Sequence, residues 1–279
     1  MNEWLPKLPL DEWTEAFVDF LQTNFKGLFQ LISNLIGSIV EFFVMIFSSV
    51  PALVLILIIA GIAWYTSRWT IALFTLAGLL LIENLGYWDA TVQTIALVIT
   101  SILITFIIGV PLGIWMSQSD KLKNVLTPIL DFMQTMPAFV YLIPSILFFG
   151  IGMVPGVIAS VVFAMPPTIR LTNLGIRQVP EDLVEASTAF GATTGQKLIK
   201  VQLPLATPTI MAGVNQSIML ALSMVVIASL VGAPGLGADV YRAVSQIRVG
   251  VGFEAGLAIV ILAIILDRIT QNLGKQKNH

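Results

Sequence analysis

Uncharged apolar runs constrain this chain more than any other feature. No Asp, Glu, Lys or Arg occurs from Ala90 to Ser119, nor from Ala206 to Val231. About 20 apolar residues are enough for a helix to cross the hydrocarbon layer, whereas a barrel strand needs about half as many. Inside lipid the backbone must satisfy its own polar groups, and a long single run does so as a helix. Charged residues make up 11% of the chain and apolar ones 57%, against about 25% charged in ordinary globular proteins. The fold class is therefore an all-α integral membrane protein.

Several chemistries are excluded at once. A net charge of −2 offers no footprint for nucleic acid. With no cysteine, disulfides, thiol catalysis and thiolate metal sites are absent. The only histidine is the last residue, His279, so no histidine acts within the membrane. The first 26 residues lack the basic-then-apolar order of a signal peptide.

Three regions follow in order: 1–49, 50–88 and 89–279. In the first, Trp13, Phe17, Phe20 and Leu21 recur at helical spacing, predicting an amphipathic surface helix. Gln30, Ser33, Asn34, Ser38 and Glu41 then form a polar stripe on an apolar helix, read as interfacial. The alternative is a spanning helix whose stripe faces protein. In the second region, Val50–Tyr65 and Trp69–Ile82 are split by Arg68 and read as a helical hairpin. Five further spans are expected over about 90–119, 125–150, 157–174, 206–231 and 252–269, making seven. The run 125–150 is broken by Pro128, Pro137 and Pro144.

Charge orients the bundle. With the polar loop 176–204 inside, Arg68, Lys121, Lys123, Arg170, Arg177, Lys197, Lys200, Arg268, Lys275 and Lys277 are inner, against Lys7, Lys26, Arg242 and Arg248 outside. That bias places the N-terminus outside and the C-terminus in the cytoplasm. Trp64, Trp69 and Trp115 fall near inner helix ends and Trp88 near an outer one. This is the distribution of an interfacial belt rather than of a cage for a quaternary amine.

The inner loop has its own construction. Pro180 suits the first position of a helix, with Glu181 and Asp182 at its positive end. Gly191 is placed to end that helix. A second short helix is expected from about Gly195 to Gln202, stopping at Leu203–Pro204. Glu185-Ala186-Ser187, then Gly191, then Val201-x-Leu203-Pro204 match the pattern EAA-x3-G-x9-I-x-LP. This resembles the cytoplasmic signature of the membrane subunits of type I ATP-binding-cassette importers, with Ser187 and Val201 as mild departures. In that family the loop is a coupling helix that docks on an ATPase subunit.

Three flanking stretches narrow the resemblance: Leu130–Ala159, Ala164–Ser187 and Leu203–Gly237 are similar to the glycine betaine/proline osmoprotectant branch. The resemblance covers about Trp88 to the end. It implies an importer permease that pairs with a second copy, works with a cytoplasmic ABC ATPase and an extracytoplasmic binding protein, and moves its solute by alternating access. Choline or carnitine are alternative solutes, and an ion-coupled secondary carrier is the reading from another class. The chain carries no nucleotide site of its own. GATTGQKL (191–198) lacks the Gly-Lys-Ser/Thr that holds phosphate and Mg²⁺, so ATP and Mg²⁺ belong to the partner.

Polar residues inside the spans are few. Asp131 and Arg170 are both expected near the cytoplasmic side, where they either pair or reach water separately. Without a chain of buried charges, no proton or sodium relay is evident. Gln134, Thr135, Asn215, Gln216, Ser217 and Ser223 are candidates for a mildly polar path. Bridging between helices is the alternative for each. The Gly-rich stretch Gly232–Gly252 reads as an external gate, a receiver for the binding protein, or an ordinary loop.

Overall fold

A computed structural model describes residues 8–273, and helices account for nearly all of them. In chain order these are α1 (Leu10–Ser49), α2 (Ala52–Thr66), α3 (Trp69–Asn84), α4 (Trp88–Gln118), α5 (Asp120–Thr135), α6 (Leu142–Phe149), α7 (Met153–Arg177), α8 (Glu181–Ala189), α9 (Thr194–Lys197), α10 (Leu203–Ala228), α11 (Leu236–Ser245) and α12 (Val249–Leu273). No strand occurs among the described residues. Lys7, Lys275, Lys277 and His279 lie outside them.

The core is α4, α7 and α10, pressed together where their surfaces are small. A Cβ placed on Gly113 would lie 2.5 Å from Thr172 Cβ and 2.7 Å from the Ile169 carbonyl. On the other flank, a Cβ on Gly213 would stand 3.1 Å from the Pro167 carbonyl. Lipid tails are as apolar as Leu, so close backbone approach replaces hydrophobic drive between such helices. Pro111, Pro166, Pro167 and Pro208 all lie inside these helices. Neighbouring helices make that tolerable in a membrane bundle.

The spans differ in number from the seven expected. Five helices are long and apolar enough to cross, and a sixth span forms if α5 and α6 count as one. Those two are bent by 108°, because Pro137 forces Met136 into extended backbone (ψ 136°). The chain then turns through Ala138–Tyr141, where the Tyr141 hydroxyl donates to the Met133 carbonyl. The hairpin helices α2 and α3 have 15 and 16 residues, roughly 23 Å each against about 30 Å of hydrocarbon. Yet α3 is pinned along α12 at both ends. Ser67 Oγ donates to the Arg268 carbonyl at 3.1 Å, and Tyr87 Oη reaches the Val251 carbonyl at 3.4 Å. At that far end burial first, then the Glu254 and Asp239 carboxylates, raise the Tyr87 phenol above its ordinary pKa and keep its proton in place.

The N-terminal region consists of two helical arms, before and after a break at Phe25. α1 bends at Phe25, whose φ of −114° and ψ of 15° leave the helical region. It meets the criteria of a span by length and composition. Ile36 and Val40 are buried against Ala96, Leu97, Val157 and Val161, while Asn34, Ser38 and Glu41 are exposed. Asn34, Ser38 and Glu41 therefore turn away from the helices of this chain, while Gln30 and Ser33 line a cleft with Leu147, Phe148 and Phe149 of α6.

Candidate functional site

The loop after α7 folds as a knob of two helical pieces. Pro180 is the cap of α8 rather than its first residue, since its ψ of 131° is extended. Glu181 and Asp182 occupy the first turn, where the helix dipole favours carboxylates. The helix ends in a Schellman turn: Ala192 N–H donates to the Ser187 carbonyl at 3.1 Å and Gly191 N–H to the Thr188 carbonyl at 2.9 Å. Gly191 makes this possible with φ +80°, a left-handed conformation that costs any residue with a Cβ about 1 kcal/mol or more.

Thr193 then restarts the helix through a reciprocal cap, accepting from Gln196 N–H at 3.3 Å while its own N–H donates to Gln196 Oε1 at 2.9 Å. The second piece does not stop at Leu203–Pro204 as expected. It passes through a π-helical turn over Leu198–Gln202 directly into α10, giving one continuous helix over Thr194–Val231. Pro204 lacks an N–H and crowds the carbonyl four residues back. The wider π turn just before it is a recurring way for a helix to absorb such a defect.

Glu185, Ala186 and Gly191 are exposed, and Ser187 is half-buried with its hydroxyl on the Val184 carbonyl. At the foot of the knob, Leu203 packs with Leu198 onto Ile176, Ala206 and Ile210. Val201 is half-buried there and Pro204 exposed. So the motif divides: its first half presents surface and its second half anchors the knob to the bundle. Sequence reading missed the apolar tip. Phe190 is 93% exposed, and Leu183 and Ile199 also face outward. A phenylalanine just before the predicted helix-ending glycine was the available signal.

Within the bundle, Arg170 Nη2 meets Asp131 Oδ1, joining α7 to α5. The two side chains are 34% and 57% exposed, and Arg170 Nε is buried with no partner. The six path candidates do not share one surface. Gln216 and Ser223 lie two turns apart on an exposed stripe of α10 with Ala212 and Met219, and Gln134 and Thr135 are exposed at the bend of α5. Asn215 turns instead to α12, donating to Asp267 Oδ1 at 2.9 Å and accepting from Thr270 Oγ1 at 2.6 Å. Ser217 is buried against α7, bonded to Thr168 Oγ1 at 2.8 Å and the Ala164 carbonyl at 2.5 Å. At 100° per residue, consecutive helix positions cannot all face one cavity. Asp267 had no role in the sequence reading, although a carboxylate near the end of an apolar helix was a visible anomaly.

The exposed polar stripe of α10, the bent α5 and the knob of α8 and α9 are thus carried on one helical scaffold. Residues 109–278, from mid-α4 onward, match the family described as "binding-protein-dependent transport system inner membrane component". The chain belongs to that family. It is a multi-pass inner-membrane component of a transport system, with type I ABC-importer permease architecture, and as such a transport subunit rather than an enzyme. It is 60% identical over 273 residues to the glycine betaine transport system permease protein OpuAB of Bacillus subtilis, covering 98% of this chain and 97% of that one. The glycine betaine/carnitine transport permease protein GbuB of Listeria monocytogenes is 58% identical over 98% of both chains. The glycine betaine/proline betaine permease protein ProW of Escherichia coli is 49% identical over 96% of this chain and 76% of its own. Among solved structures, an inward-facing MetNI methionine ABC transporter superposes with a TM-score of 0.59 at 26% identity, over 66% of this chain and 93% of that one.

Proposed function

We propose that this permease imports glycine betaine and related osmoprotectants, driven by a partner ATPase that engages the knob formed by α8 and α9. The observation that carries the substrate class is identity of 49–60% along almost the whole chain to three permeases, each named for glycine betaine. Carnitine is the second solute to test, because one of those relatives is also named for it.

Glu185, Ala186, Ser187 and Gly191 are the coupling surface in this reading, with Phe190 as its apolar anchor. Val201, Leu203 and Pro204 hold the knob on α10. Gln216, Ser223, Gln134 and Thr135 line the path, which is completed by a second copy of the chain as a homodimer. An extracytoplasmic binding protein delivers the solute at the far end, where Gly232–Gly252 lies.

The knob end is taken as cytoplasmic and the N-terminus as external. Charge supports this, since Arg68, Lys121, Lys123, Arg177, Lys197 and Lys200 all stand at or beside the knob end. Gln22 donates to the Leu147 carbonyl at the far end, and α2 starts beside the end of α3 there. Both termini of the second arm of α1 therefore lie externally, which supports an interfacial rather than crossing course for it.

The test is uptake of labelled glycine betaine, carnitine and choline into liposomes holding the permease, its ATPase and its binding protein. ATP-dependent accumulation of glycine betaine is expected, and accumulation of choline alone would overturn the substrate class. Gly191→Val in the same system should abolish binding-protein-stimulated hydrolysis while the chain still inserts. Fully coupled transport by that variant would refute the coupling assignment.

A further inference from the structure

The last residue of α7, Arg177, binds three elements with one guanidinium. Its Nη2 donates to the Met116 carbonyl at 3.1 Å, in the final turn of α4. The same nitrogen lies 2.7 Å from Asp120 Oδ1, on the first residue of α5. Its Nε donates to Asn173 Oδ1 at 3.0 Å, one turn back on α7, which orients the fork. The carbonyls that end a helix are unsatisfied and carry partial negative charge, so a cation beside Met116 is doubly favoured. Asp120 sits at the positive end of α5, whose cap is Ser119, accepting from Leu122 N–H at 3.3 Å.

The placement matters because of what lies on either side. Beyond Arg177 the chain passes through Gln178, buried Val179 and Pro180 into α8. The inner length of α7 is wedged: a Cβ on Gly175 would be 2.9 Å from Thr209 Cβ and 3.2 Å from the Ala206 carbonyl. By contrast α5 has a single buried side chain, Leu130, which packs with Met116 and Ile169. α5 carries the 108° bend and the exposed Gln134 and Thr135. Two arginines of α7, Arg170 on Asp131 and Arg177 on Asp120, are thus the polar attachments holding this loosely packed helix to a rigid one.

We propose that Arg177 is a positioning residue that transmits displacement of the coupling knob to α5, so that the wall bearing Gln134 and Thr135 moves with α7 and not independently of it. The proposal rests on the coupling role assigned to α8. A guanidinium suits the task because its planar fork serves a carbonyl and a carboxylate together, which an ammonium on a flexible stem does less well.

The test uses the permease assembled with its ATPase and binding protein in liposomes. Since the chain has no cysteine, spin labels can be placed on cysteines at the exposed positions Lys121 and Gln178. R177Q and D120N are expected to lower solute transported per ATP hydrolysed about two- to fivefold, the size of a lost, largely exposed ion pair. They should also broaden the distance between the two labels. R177K is expected to fall between wild type and R177Q. A wild-type ratio and an unbroadened distance in R177Q overturn the proposal. So does a wild-type D120N beside a defective R177Q, which would reduce Arg177 to a cap for α4. D120N also guards against misfolding, because the Asp120 side chain is 80% exposed. The label distance is read without transport. It therefore tests the clamp even where the wild-type complex hydrolyses ATP without moving solute, the outcome that would instead sink the coupling assignment.

Discussion

Asn215 and Asp267 join α10 to α12 through a 2.9 Å hydrogen bond, and Gln271 donates to the same carboxylate oxygen at 2.7 Å. A carboxylate near lipid needs such donors. Removing Asn215 takes one donor from this half-buried carboxylate and leaves it Gln271, at about 0.5–1.5 kcal/mol. N215L should destabilise the detergent-solubilised permease by that amount in a thermal or denaturant melt. N215L/D267L should lose less than the sum of the single changes. Strict additivity would show that the contact contributes nothing.

The exposed stripe on α10 predicts a labelling pattern. In the cysteine-free chain, Q216C and S223C should react with a membrane-impermeant thiol reagent in the assembled transporter, and S217C should not. Ser217 is fully buried between α10 and α7, whereas Gln216 and Ser223 are exposed. Equal reactivity at all three positions would contradict the division of α10 into an exposed face and a packing face.

Glycine packing gives a paired stability test. Gly113→Ala should cost about 1–3 kcal/mol or prevent assembly, because the new methyl meets Thr172 Cβ and the Ile169 carbonyl, and backbone cannot step aside cheaply. Gly61→Ala should be neutral or stabilising by about 0.5–1 kcal/mol. It lies within α2 with nothing inside 4 Å, and Ala has the better helix propensity. A melting series of both variants checks the contrast.

Asp131 and Arg170 make the other bridge between α5 and α7. Both are partly exposed, so a coupling energy of about 0.5–1 kcal/mol is expected from the cycle D131N, R170Q and the double variant. Transport initial rates in the same four proteins should be non-additive. Additive effects in both readouts would mean that each side chain finds water on its own.

Much of this architecture was legible in the chain. Although Pro128 and Pro144 lie within α5 and α6 and do not break them, the run Ala90–Ser119 was readable as α4 and Pro137 as a break, through local backbone chemistry. Gly191 was placed correctly for the same reason: only a left-handed residue closes the turn after α8. The hairpin at Arg68 and the motif Glu185–Pro204 were likewise visible. The continuity of α9 with α10 was not. Pro204 signals a stop, and the π turn that overrides it depends on Leu198 and Leu203 packing on Ile176, Ala206 and Ile210. The expected seven spans left out α1, which is long and apolar enough to be one. They included α2 and α3, whose 15 and 16 residues fall short of a full crossing.

Hydropathy and charge act residue by residue, so the membrane class, the helix order and the polar loop could be read without coordinates. Roles within the bundle could not. Asn215, Gln216 and Ser217 are neighbours in sequence with similar chemistry, yet one ties α10 to α12, one faces outward and one is sealed against α7. The partner of each is set by the rotation of a packed helix. That rotation is determined by contacts between distant segments, such as Gly213 against Pro167 and Gly175 against Thr209.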